Sequence, residues 1–506
     1  MRDLSIRSPP SVSKLAVLKS LNLGQRVAED ELSELARYFV ETSQWSDMLA
    51  GRKDVVYGPK GTGKSALYGL LNTQATELER NGVILASAEN VKGATVFKGL
   101  VSSPPPSESS FIFLWKLYCL VLAGKALQER SVKNDQAIAL ISALQKAKLL
   151  IPDATLASAF RSAQSYFKGL LTRDVAAVEY GLSIDPATGL PAATRKTEFR
   201  DTSQQQGLDD VPVDALLETA DKAFARIGTK LWILFDRLDV AFVDSPDLER
   251  NALRALFRTY NDLRSLDSVV LKIFVRDDIW RRISEGGFAE ASHITRTTSI
   301  SWTEQGLLNL MALRLLNSSE LLRMLGLQAN EVKADFEEQV KLLRAILPDK
   351  VDTGKNPDTF EWMVTRVKDG LGISAPRELI HLFESIKDLQ IKRLERGEPE
   401  PPATQLFDRA VFKEALKEVS RVRYAQTMVT EYPDLKVYMD RLDSQKSEHG
   451  LTSLQALWQI PPEKATAMAE RLVSVGFFEK RERRGVTSYW IPFLYRGALK
   501  LVQGRA

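Results

Sequence analysis

The sequence predicts an α/β fold in which helices flank a parallel β-sheet. Four short apolar stretches have the composition of strands: residues 54–57, 83–86, 231–235 and 269–275. Segments with helical periodicity separate them, and strands that alternate with helices form parallel sheets. Stretch 231–235 is apolar throughout, as expected of a strand buried on both faces. Residues 293–301 alternate weakly and are expected to add a further strand.

Length and composition indicate a soluble protein with several domains. A chain of 506 residues is too long for one hydrophobic core, and 44% hydrophobic with 26% charged residues is ordinary for a globular protein. The net charge of +4 excludes a strong global attraction to nucleic acid or anionic membranes. A single cysteine, Cys119, excludes an internal disulfide and fits the reducing cytoplasm. The whole chain contains only this one cysteine and three histidines, which makes a structural zinc site improbable.

We expect no membrane partner. The most apolar stretch, residues 111–127, contains Lys116 and Lys125 and falls short of the ~20 apolar residues that span a bilayer. A buried helix is the better interpretation. Residues 1–14 lack the apolar core and cleavage site of a signal peptide, which also favours a cytoplasmic location.

Changes in composition divide the chain into four predicted units. They are an N-terminal helical segment at 1–50, an α/β core at 51–301, a helical lid at 302–396 and a winged-helix-like domain at 403–506. Within the first unit, residues 30–45 place apolar side chains at helical spacing. The core carries a helical insertion at about 91–228, whose polar end, 184–210, is predicted to be a mobile loop. The proline-rich residues 397–402 form a predicted linker.

Residues 58–65 spell G-P-K-G-T-G-K-S and match the phosphate-loop pattern G-x-x-x-x-G-K-[ST] in full. Glycines let successive backbone N–H groups point at phosphates, and the following helix adds its positive N-terminal end. Lys64 is expected to reach the β- and γ-phosphates of ATP, and the Ser65 hydroxyl to bind Mg²⁺. The pattern lies between a predicted strand and a predicted helix, the context that it requires. The predicted nucleotide-binding residues here are Gly58, Gly61, Thr62, Gly63, Lys64, Ser65 and Ala66.

An apolar strand that ends in a carboxylate forms the second part of the predicted site. Asp236 follows stretch 231–235 and would lie at the carboxyl edge of the sheet, where it can hold Mg²⁺ through water. The alternative is an acid that merely terminates the strand. Asp239 is the candidate for positioning the attacking water, against the alternative of a helix-capping or loop acid.

Two arginines are candidates for sensing the γ-phosphate. Arg276 ends the apolar stretch 269–275 on a neighbouring strand, although Asp277 and Asp278 could instead hold it in a surface ion pair. Arg377 follows Ser374 and Pro376, which have the pattern of a helix cap and first turn, and could reach back from the lid. Its alternative is a surface arginine on a capped helix.

Arg281 and Arg282 could act in trans across an oligomer, but a solvated helix face is the simpler interpretation.

The C-terminal unit has the pattern of a winged helix. Helices are predicted at 451–460 and after Pro461, and two strands flank Gly485. Residues 451–506 carry nine Lys and Arg against four Asp and Glu, a local charge of +5. The second helix mixes acids with bases, so we favour packing on the ATPase or a partner over reading DNA.

The chain resembles the STAND and AAA+-like branch of P-loop ATPases, and more narrowly a prokaryotic family often associated with phage defence. The resemblance is carried by AEDELSELARYFVET, YGPKGTGKSAL, WILFDRLD, KIFVRDDIW, SISWTEQGLLNLMALRL and APRELIHLF. It covers most of 28–70 and 229–385 but not the insertion. It implies ATP used as a switch, with sensor roles for Arg276 and Arg377 and a magnesium role for Asp236. Position 237 is arginine, where many AAA+ ATPases carry the second acid of a pair, and no arginine finger is identifiable.

These observations predict a regulatory ATPase that binds ATP and Mg²⁺ and controls its own assembly or a separate effector protein. Hydrolysis is expected to be slow or stimulated by a partner. A homo-oligomer is expected, and the resemblance places the function in anti-phage defence. One alternative is a DNA-binding initiator or loader, with nucleic acid bound by the winged helix. Another is a nucleotide-dependent scaffold with little turnover.

Overall fold

The computed structural model describes residues 13–26, 30–90, 107–151, 155–173, 182–184, 191–193, 212–238, 246–285 and 287–505. Its first helices are α1 (Lys14–Ser20), α2 (Leu32–Leu35) and α3 (Ser43–Leu49). The prediction of one helix through 30–45 is therefore wrong. Thr42 has extended backbone (φ −96°, ψ 160°) and caps α3 by accepting a hydrogen bond from the Trp45 N–H, which a continuous helix would not allow.

The α/β core begins with the strand and helix that enclose the phosphate loop. Its first elements are β1 (Val55–Gly58), α4 (Lys64–Thr73), α5 (Ala75–Arg80) and β2 (Val83–Ser87). The insertion contributes α6 (Glu108–Glu129), α7 (Asp135–Lys146), α8 (Leu156–Arg173), β3 (Leu182–Ile184), β4 (Pro191–Ala193) and α9 (Val213–Arg226). The predicted mobile loop at 184–210 lies outside the described residues, apart from Ile184 and 191–193.

Helix α6 is the apolar helix of the insertion. It is the one helix among the described residues that is long and apolar enough to cross a membrane, yet 72% of its most apolar window is buried inside the protein. It packs against α8, α9 and the sheet. Lys116 interrupts its apolar run because Nζ pairs with Asp214 at 2.8 Å and Asp262 at 2.7 Å. The helix is therefore a core element, as the sequence predicts.

The remaining core elements complete a five-stranded parallel sheet. They are β5 (Lys230–Phe235), α10 (Pro246–Leu263), β6 (Val269–Arg276), α11 (Asp277–Glu285) and β7 (Thr297–Ser299). The strand order is β2-β5-β6-β1-β7, and all neighbours are parallel. The predicted α/β class with a parallel sheet is confirmed, although the last strand is shorter than the 293–301 stretch expected from alternation.

Six helices follow as the predicted helical region: α12 (Glu304–Leu315), α13 (Ser319–Leu325), α14 (Ala329–Ala334), α15 (Phe336–Ile346), α16 (Thr359–Arg366) and α17 (Pro376–Glu395). The C-terminal unit contains α18 (Ala410–Arg423), α19 (Lys436–Asp440), β8 (Lys446–His449), α20 (Leu451–Trp458), α21 (Pro462–Ser474), β9 (Glu479–Arg483), β10 (Val486–Trp490), α22 (Phe493–Arg496) and β11 (Val502–Arg505). The predicted order of helix, helix and β-hairpin is present in α20, α21, β9 and β10. Strands β8 and β11 extend the hairpin into a four-stranded sheet.

The two faces of the parallel sheet pack on different cores. Ile233, Phe235 and Ile273 face the insertion helices and α10. Leu234 and Phe274 belong instead to an apolar core that runs without interruption from α1 through the lid to α22. The N-terminal helices, the lid and the C-terminal unit therefore share one core, which continues across the predicted linker at 397–402.

A buried ion pair joins strand β6 to the residue that precedes β1. Lys272 on β6 and Asp54 before β1 are 1% and 2% exposed, and Nζ lies 2.9 Å from the carboxylate. Burial lowers the pKa of Lys272, and the charge of Asp54 opposes that shift. Asp54 also pairs with Arg296 at 2.8 Å and accepts a hydrogen bond from the Tyr260 hydroxyl at 3.2 Å. One carboxylate thus joins β1, β6, α10 and the approach to β7.

We expect Asp54→Asn to destabilise the core by roughly 3–5 kcal/mol, because it leaves the Lys272 charge buried without its counterion. Denaturant unfolding followed by tryptophan fluorescence measures the loss, since Trp232 lies under the Lys272 ammonium at 4.2 Å. Glu395→Gln is the matched control. It removes the partner of Lys19 in a pair whose side chains are 47% and 53% exposed, and should change stability by less than about 0.5 kcal/mol. Equal losses in the two variants would contradict this role for Asp54.

Candidate functional site

Three neighbouring strands end together at the edge of the sheet that carries the candidate site. In the parallel register Gly58 of β1 is opposite Arg276 of β6, and Phe235 of β5 is opposite Ile273. The phosphate loop, Asp236 and Arg276 therefore follow adjacent carboxyl ends. Polar side chains and a helix N-terminus meet here because parallel strands all leave the sheet in the same direction.

The phosphate loop has the backbone that its glycines permit. Gly61 and Gly63 have φ of 85° and 105°, values that side-chain-bearing residues rarely adopt, and Gly63 is the N-cap of α4. Thr62 is 1% exposed, and its hydroxyl donates to the Pro59 carbonyl at 2.8 Å. The Trp302 indole N–H donates to the Thr62 carbonyl at 2.8 Å, so the start of the lid is fastened to the loop.

Lys64 lies across its own loop. Nζ donates to the carbonyls of Gly58 at 2.7 Å and Pro59 at 2.8 Å. The ammonium is thus held at the mouth of the loop by weak neutral acceptors that a phosphate, with its full charge, can replace. Ser65 and Ala66 follow in the first turn of α4, and both line the adjoining cavity.

Two carboxylates approach this loop. Asp236 is 4% exposed and lines the cavity directly after β5. Asp277 opens α11, and its Oδ1 is buried without a hydrogen-bond partner among the described residues. Burial raises the pKa of Asp277, and the nearby charge of Lys64 opposes the shift. Asp277 was expected only as an ion-pair partner of Arg276, so its place beside Lys64 is new. Asp239 lies outside the described residues.

Arg237 lies in sequence between the candidate acids Asp236 and Asp239, and it has φ of 55°. A non-glycine residue in this left-handed region is strained by about 1 kcal/mol or more, and such strain clusters at functional sites. The side chain lines the same cavity as Asp236. No second carboxylate therefore follows β5 directly.

The cavity beside the loop has a volume of about 310 Å³. Its far wall comes from the N-terminal segment between α2 and α3, where Tyr38, Phe39 and Val40 contribute apolar surface. Arg314 of α12 holds this wall in place through a buried ion pair with Glu31 at 2.7 Å. These residues lie in the stretch AEDELSELARYFVET that contributes to the family resemblance, but no contact with the nucleotide was predicted for them. They form the part of the site that suits a flat apolar ring.

Arg276 lies at the site and is already paired. Its guanidinium makes a two-pronged contact with Asp278, both N···O distances being 2.9 Å, and a further contact of 2.6 Å with Glu431. Asp278, rather than Asp277, is thus the neighbouring partner. Glu431 also pairs with Lys60 of the phosphate loop.

Segment 423–432, which connects α18 to the rest of the C-terminal unit, contacts the site at several points. It contains a π-helical stretch, Tyr424–Val429, a conformation frequent at functional positions. Arg423 pairs at 2.8 Å with Glu378, beside Arg377, in a pair whose side chains are 11% and 6% exposed. Tyr432 approaches Asp278 at 3.5 Å. Sequence reasoning missed this segment because it carries no motif.

Arg377 begins the lid helix α17 at the phosphate loop. A Cβ placed on Gly61 would lie 3.2 Å from the Arg377 Cβ, which shows how closely the helix start approaches. Arg377 Nε is buried without a hydrogen-bond partner among the described residues. The predicted Ser374 cap is wrong: the N-cap is Ala375, because Ser374 is buried and its hydroxyl donates to the Val364 carbonyl at 2.9 Å instead.

Arg281 and Arg282 make contacts within the chain. Arg281 donates to the Ser474 carbonyl at 3.3 Å, and Arg282, 55% exposed, pairs with Glu249 at 3.1 Å. The action in trans that the sequence left open stays a prediction.

Among the described residues no group of three or more His, Cys, Asp or Glu side chains is arranged to hold a metal ion. That result does not exclude Mg²⁺ binding at the phosphate loop. Mg²⁺ in such sites takes one or two protein oxygens and completes its shell with phosphates and water. The Ser65 hydroxyl and the buried Asp236 carboxylate fit that requirement.

No protein-family model and no curated protein matches the chain. Among solved structures it is similar to the ORC2 protein of Aeropyrum pernix in ADPNP-ADP complexes, at 11% identity and a TM-score of 0.37 over 94% of this chain and 93% of that one. It is similar to the A. pernix ORC1 protein in complex with DNA, at 12% identity and a TM-score of 0.32 over 96% and 97%. A Walker-type ATPase of Pyrococcus abyssi follows at 10% identity and a TM-score of 0.37, over 95% and 100%. TM-scores this low carry no argument about function, which must come from the site.

We expect Lys64→Ala to abolish stabilisation by ATP, because it removes the cation held at the mouth of the loop. ATP at ~100 times its Kd should stabilise the wild type by roughly 2.7 kcal/mol, seen as a rise in melting temperature. Lys464→Ala, at an exposed lysine on α21, is the control and should keep the full shift. An ATP-induced shift of wild-type size in the Lys64 variant would remove the loop from the binding site.

Proposed function

We propose that the protein is an ATP-binding switch that converts nucleotide state into a change in the position of its lid and C-terminal unit. One observation carries the proposal: the lid residue Arg377 and the C-terminal residue Glu431 both reach the phosphate loop of the core. A nucleotide in this loop would necessarily contact or displace them. A ligand that interacts differently with two arrangements shifts the balance between them.

The residues assigned to the nucleotide follow from the geometry of the loop. Backbone N–H groups of residues 61–65 and the Lys64 ammonium would hold the phosphates. Mg²⁺, when bound, would be held by Ser65 and Asp236 and would neutralise charge between the β- and γ-phosphates. The apolar wall around Tyr38 suits the base. Arg276 and Arg377 would respond to the γ-phosphate.

ATP hydrolysis is part of the proposal, at a low rate or under stimulation by a partner. Arg237 stands where a water-activating glutamate would follow Asp236. Asp239 remains the proposed water-positioning residue. Asp277 is a further candidate, because burial raises its pKa and it lies close enough to Lys64 to feel its charge. A carboxylate with a raised pKa is a stronger base toward an attacking water.

The output of the switch is proposed to be assembly of this chain with itself or action on an effector protein. The lid and the C-terminal unit share one apolar core, so a change at the loop is transmitted to both. A role in phage defence is implied only by the sequence resemblance, and it stays a prediction.

Nucleic-acid binding is the second candidate, and the charge of the β9–β10 hairpin favours it. Arg483 and Arg484 are exposed, and neither has a carboxylate within 4.0 Å among the described residues. The proposed recognition helix α21 argues against this role, because two of its four charged side chains are paired within the chain and two of the four are acidic. Arg471 pairs with Asp434, and Glu470 pairs with Lys480 at 2.8 Å. We therefore rank DNA binding below the switch.

We expect substitution of Asp236 to affect nucleotide binding and substitution of Asp239 to affect the rate of ATP hydrolysis. Asp236→Asn should weaken binding of Mg²⁺-ATP, measured by titration calorimetry with and without Mg²⁺. Asp239→Asn should bind as the wild type does and release phosphate more slowly, by about 10-fold or more, because positioning of an attacking water typically contributes 10²–10⁴-fold. Turnover at the wild-type rate in the Asp239 variant would transfer this role to another group, with Asp277→Asn as the next variant to assay.

We expect a non-hydrolysable ATP analogue, compared with ADP, to move the C-terminal unit relative to the core. Cysteines at the exposed positions Glu77 and Lys464 can carry a pair of distance labels, because the native Cys119 is fully buried. The measured distance should differ between the two nucleotide states, and the Lys64→Ala variant should show no difference.

Binding to duplex DNA across a salt series tests the second candidate. An initiator requires affinity that falls steeply with salt and is lost when Lys480, Arg481, Arg483 and Arg484 are neutralised. That result, together with an unchanged label distance and unchanged mass in both nucleotide states, would favour the initiator over the switch.

A further inference from the structure

One carboxylate of the C-terminal unit joins two cations of the candidate site. Oε1 of Glu431 pairs with Lys60 in the phosphate loop, and Oε2 contacts Arg276 at the end of β6 at 2.6 Å. The exposed fractions of the three side chains are 14% for Glu431, 18% for Arg276 and 32% for Lys60. Partly buried contacts of this kind are screened by salt less than exposed ones.

The two cations that Glu431 holds both belong to the candidate nucleotide site. Both Lys60 and Arg276 line the cavity beside the loop, on the edge where β1 and β6 end. Among the described residues, Lys60 has no other carboxylate within 4.0 Å. Arg276 keeps Asp278 as a second partner. A carboxylate and a phosphate present similar paired oxygens to such cations, so Glu431 occupies the place of an anionic ligand.

We propose that Glu431 is the residue that distinguishes ATP from ADP, by competing with the γ-phosphate for Lys60 and Arg276. This inference rests on the proposed nucleotide-binding function and names how it is regulated. ATP must displace Glu431 to reach the two cations. ADP has no third phosphate and leaves the contact in place.

Displacement of Glu431 has a structural consequence because of the segment that carries it. The π-helical turn at 424–429 separates Glu431 from Arg423, which stays bound to Glu378 of the lid. The segment therefore has an anchor on the lid at one end and a contact on the core at the other. Loss of the Glu431 contact removes the ion pair between the C-terminal unit and β6 and leaves the weaker contacts of Tyr432 with Asp278 and of Ser474 with Arg281. The attachment to the lid persists.

Linkage requires the effect to work in both directions. If Glu431 weakens ATP binding by a given factor, ATP weakens the contact between the C-terminal unit and the core by the same factor. Couplings of this kind typically correspond to about fivefold or more in affinity. Neutralising Glu431 also removes a negative charge that repels any nucleotide, so the ratio of the two affinities isolates the competition for the γ-phosphate.

The test is Glu431→Gln in the full chain, with Kd measured for a non-hydrolysable ATP analogue and for ADP. We expect the preference for the triphosphate, expressed as Kd(ADP)/Kd(ATP analogue), to rise about fivefold or more over the wild type. The label distance between positions 77 and 464 in the nucleotide-free variant should move toward the value of the wild type with the ATP analogue. Melting temperature and far-UV circular dichroism establish that the variant is folded.

Glu414→Gln is the matched control. Glu414 lies on α18 and pairs with Lys417 at the surface, where their side chains are 59% and 63% exposed. It should leave both the affinity ratio and the label distance unchanged.

The outcomes separate the two proposals. An unchanged ratio in a folded Glu431→Gln protein that binds both nucleotides would overturn the inference and leave the nucleotide switch standing. A ratio that rises equally in the Glu414 control would also overturn it, because the effect would then be one of net charge. Absence of nucleotide binding by the wild type would overturn the proposed function itself.

Discussion

Strand β6 lies between β5 and β1, and all three leave the sheet at the same edge. This arrangement places the phosphate loop, Asp236 and Arg276 within reach of one ligand, although they are far apart in sequence. The register depends on the opposite edge, where Asp54 holds Lys272 of β6 and Arg296 before β7. A slip of one residue would turn the apolar side chains to the wrong faces and separate Gly58 from Arg276. The site is therefore a consequence of how the sheet is held together.

The two faces of that sheet serve different purposes. The insertion covers one face with the largely apolar helix α6 and with the apolar sides of α7, α8 and α9. The other face supports the N-terminal helices, the lid and the C-terminal unit through a single core. Among the described residues, three segments that close over the candidate site come from this second group: the wall near Tyr38, the start of α17 and segment 423–432. In the proposed switch, a change at the loop would therefore act on this side of the sheet.

Local patterns were enough to predict the sheet, the phosphate loop and the position of Asp236, because each depends on residues that are adjacent in sequence. The helix expected through 30–45 failed for a local reason that the apolar spacing hides, the cap formed by Thr42. Glu431 could not have been found in this way. It lies 371 residues from Lys60 and 155 from Arg276, in a segment without any motif. Contacts across such separations depend on how whole units pack, and a single sequence contains no direct signal of that packing.

The character of the contacts indicates which parts would move together. Helix α17 packs through apolar side chains on the residues that lead into α18, with Phe383 against Phe407 at 5.5 Å between ring centroids. Such a core has no partner that an incoming phosphate could replace, so the lid and the C-terminal unit should remain joined. At the phosphate loop and at Arg276 their contacts are instead charged or polar, as Lys60 with Glu431 and Trp302 with Thr62 demonstrate. An anion competes directly with contacts of that kind. The polar contacts around the phosphate loop are therefore the ones on which a nucleotide can act, whereas the apolar core that joins the sheet face, the lid and the C-terminal unit offers it no point of competition.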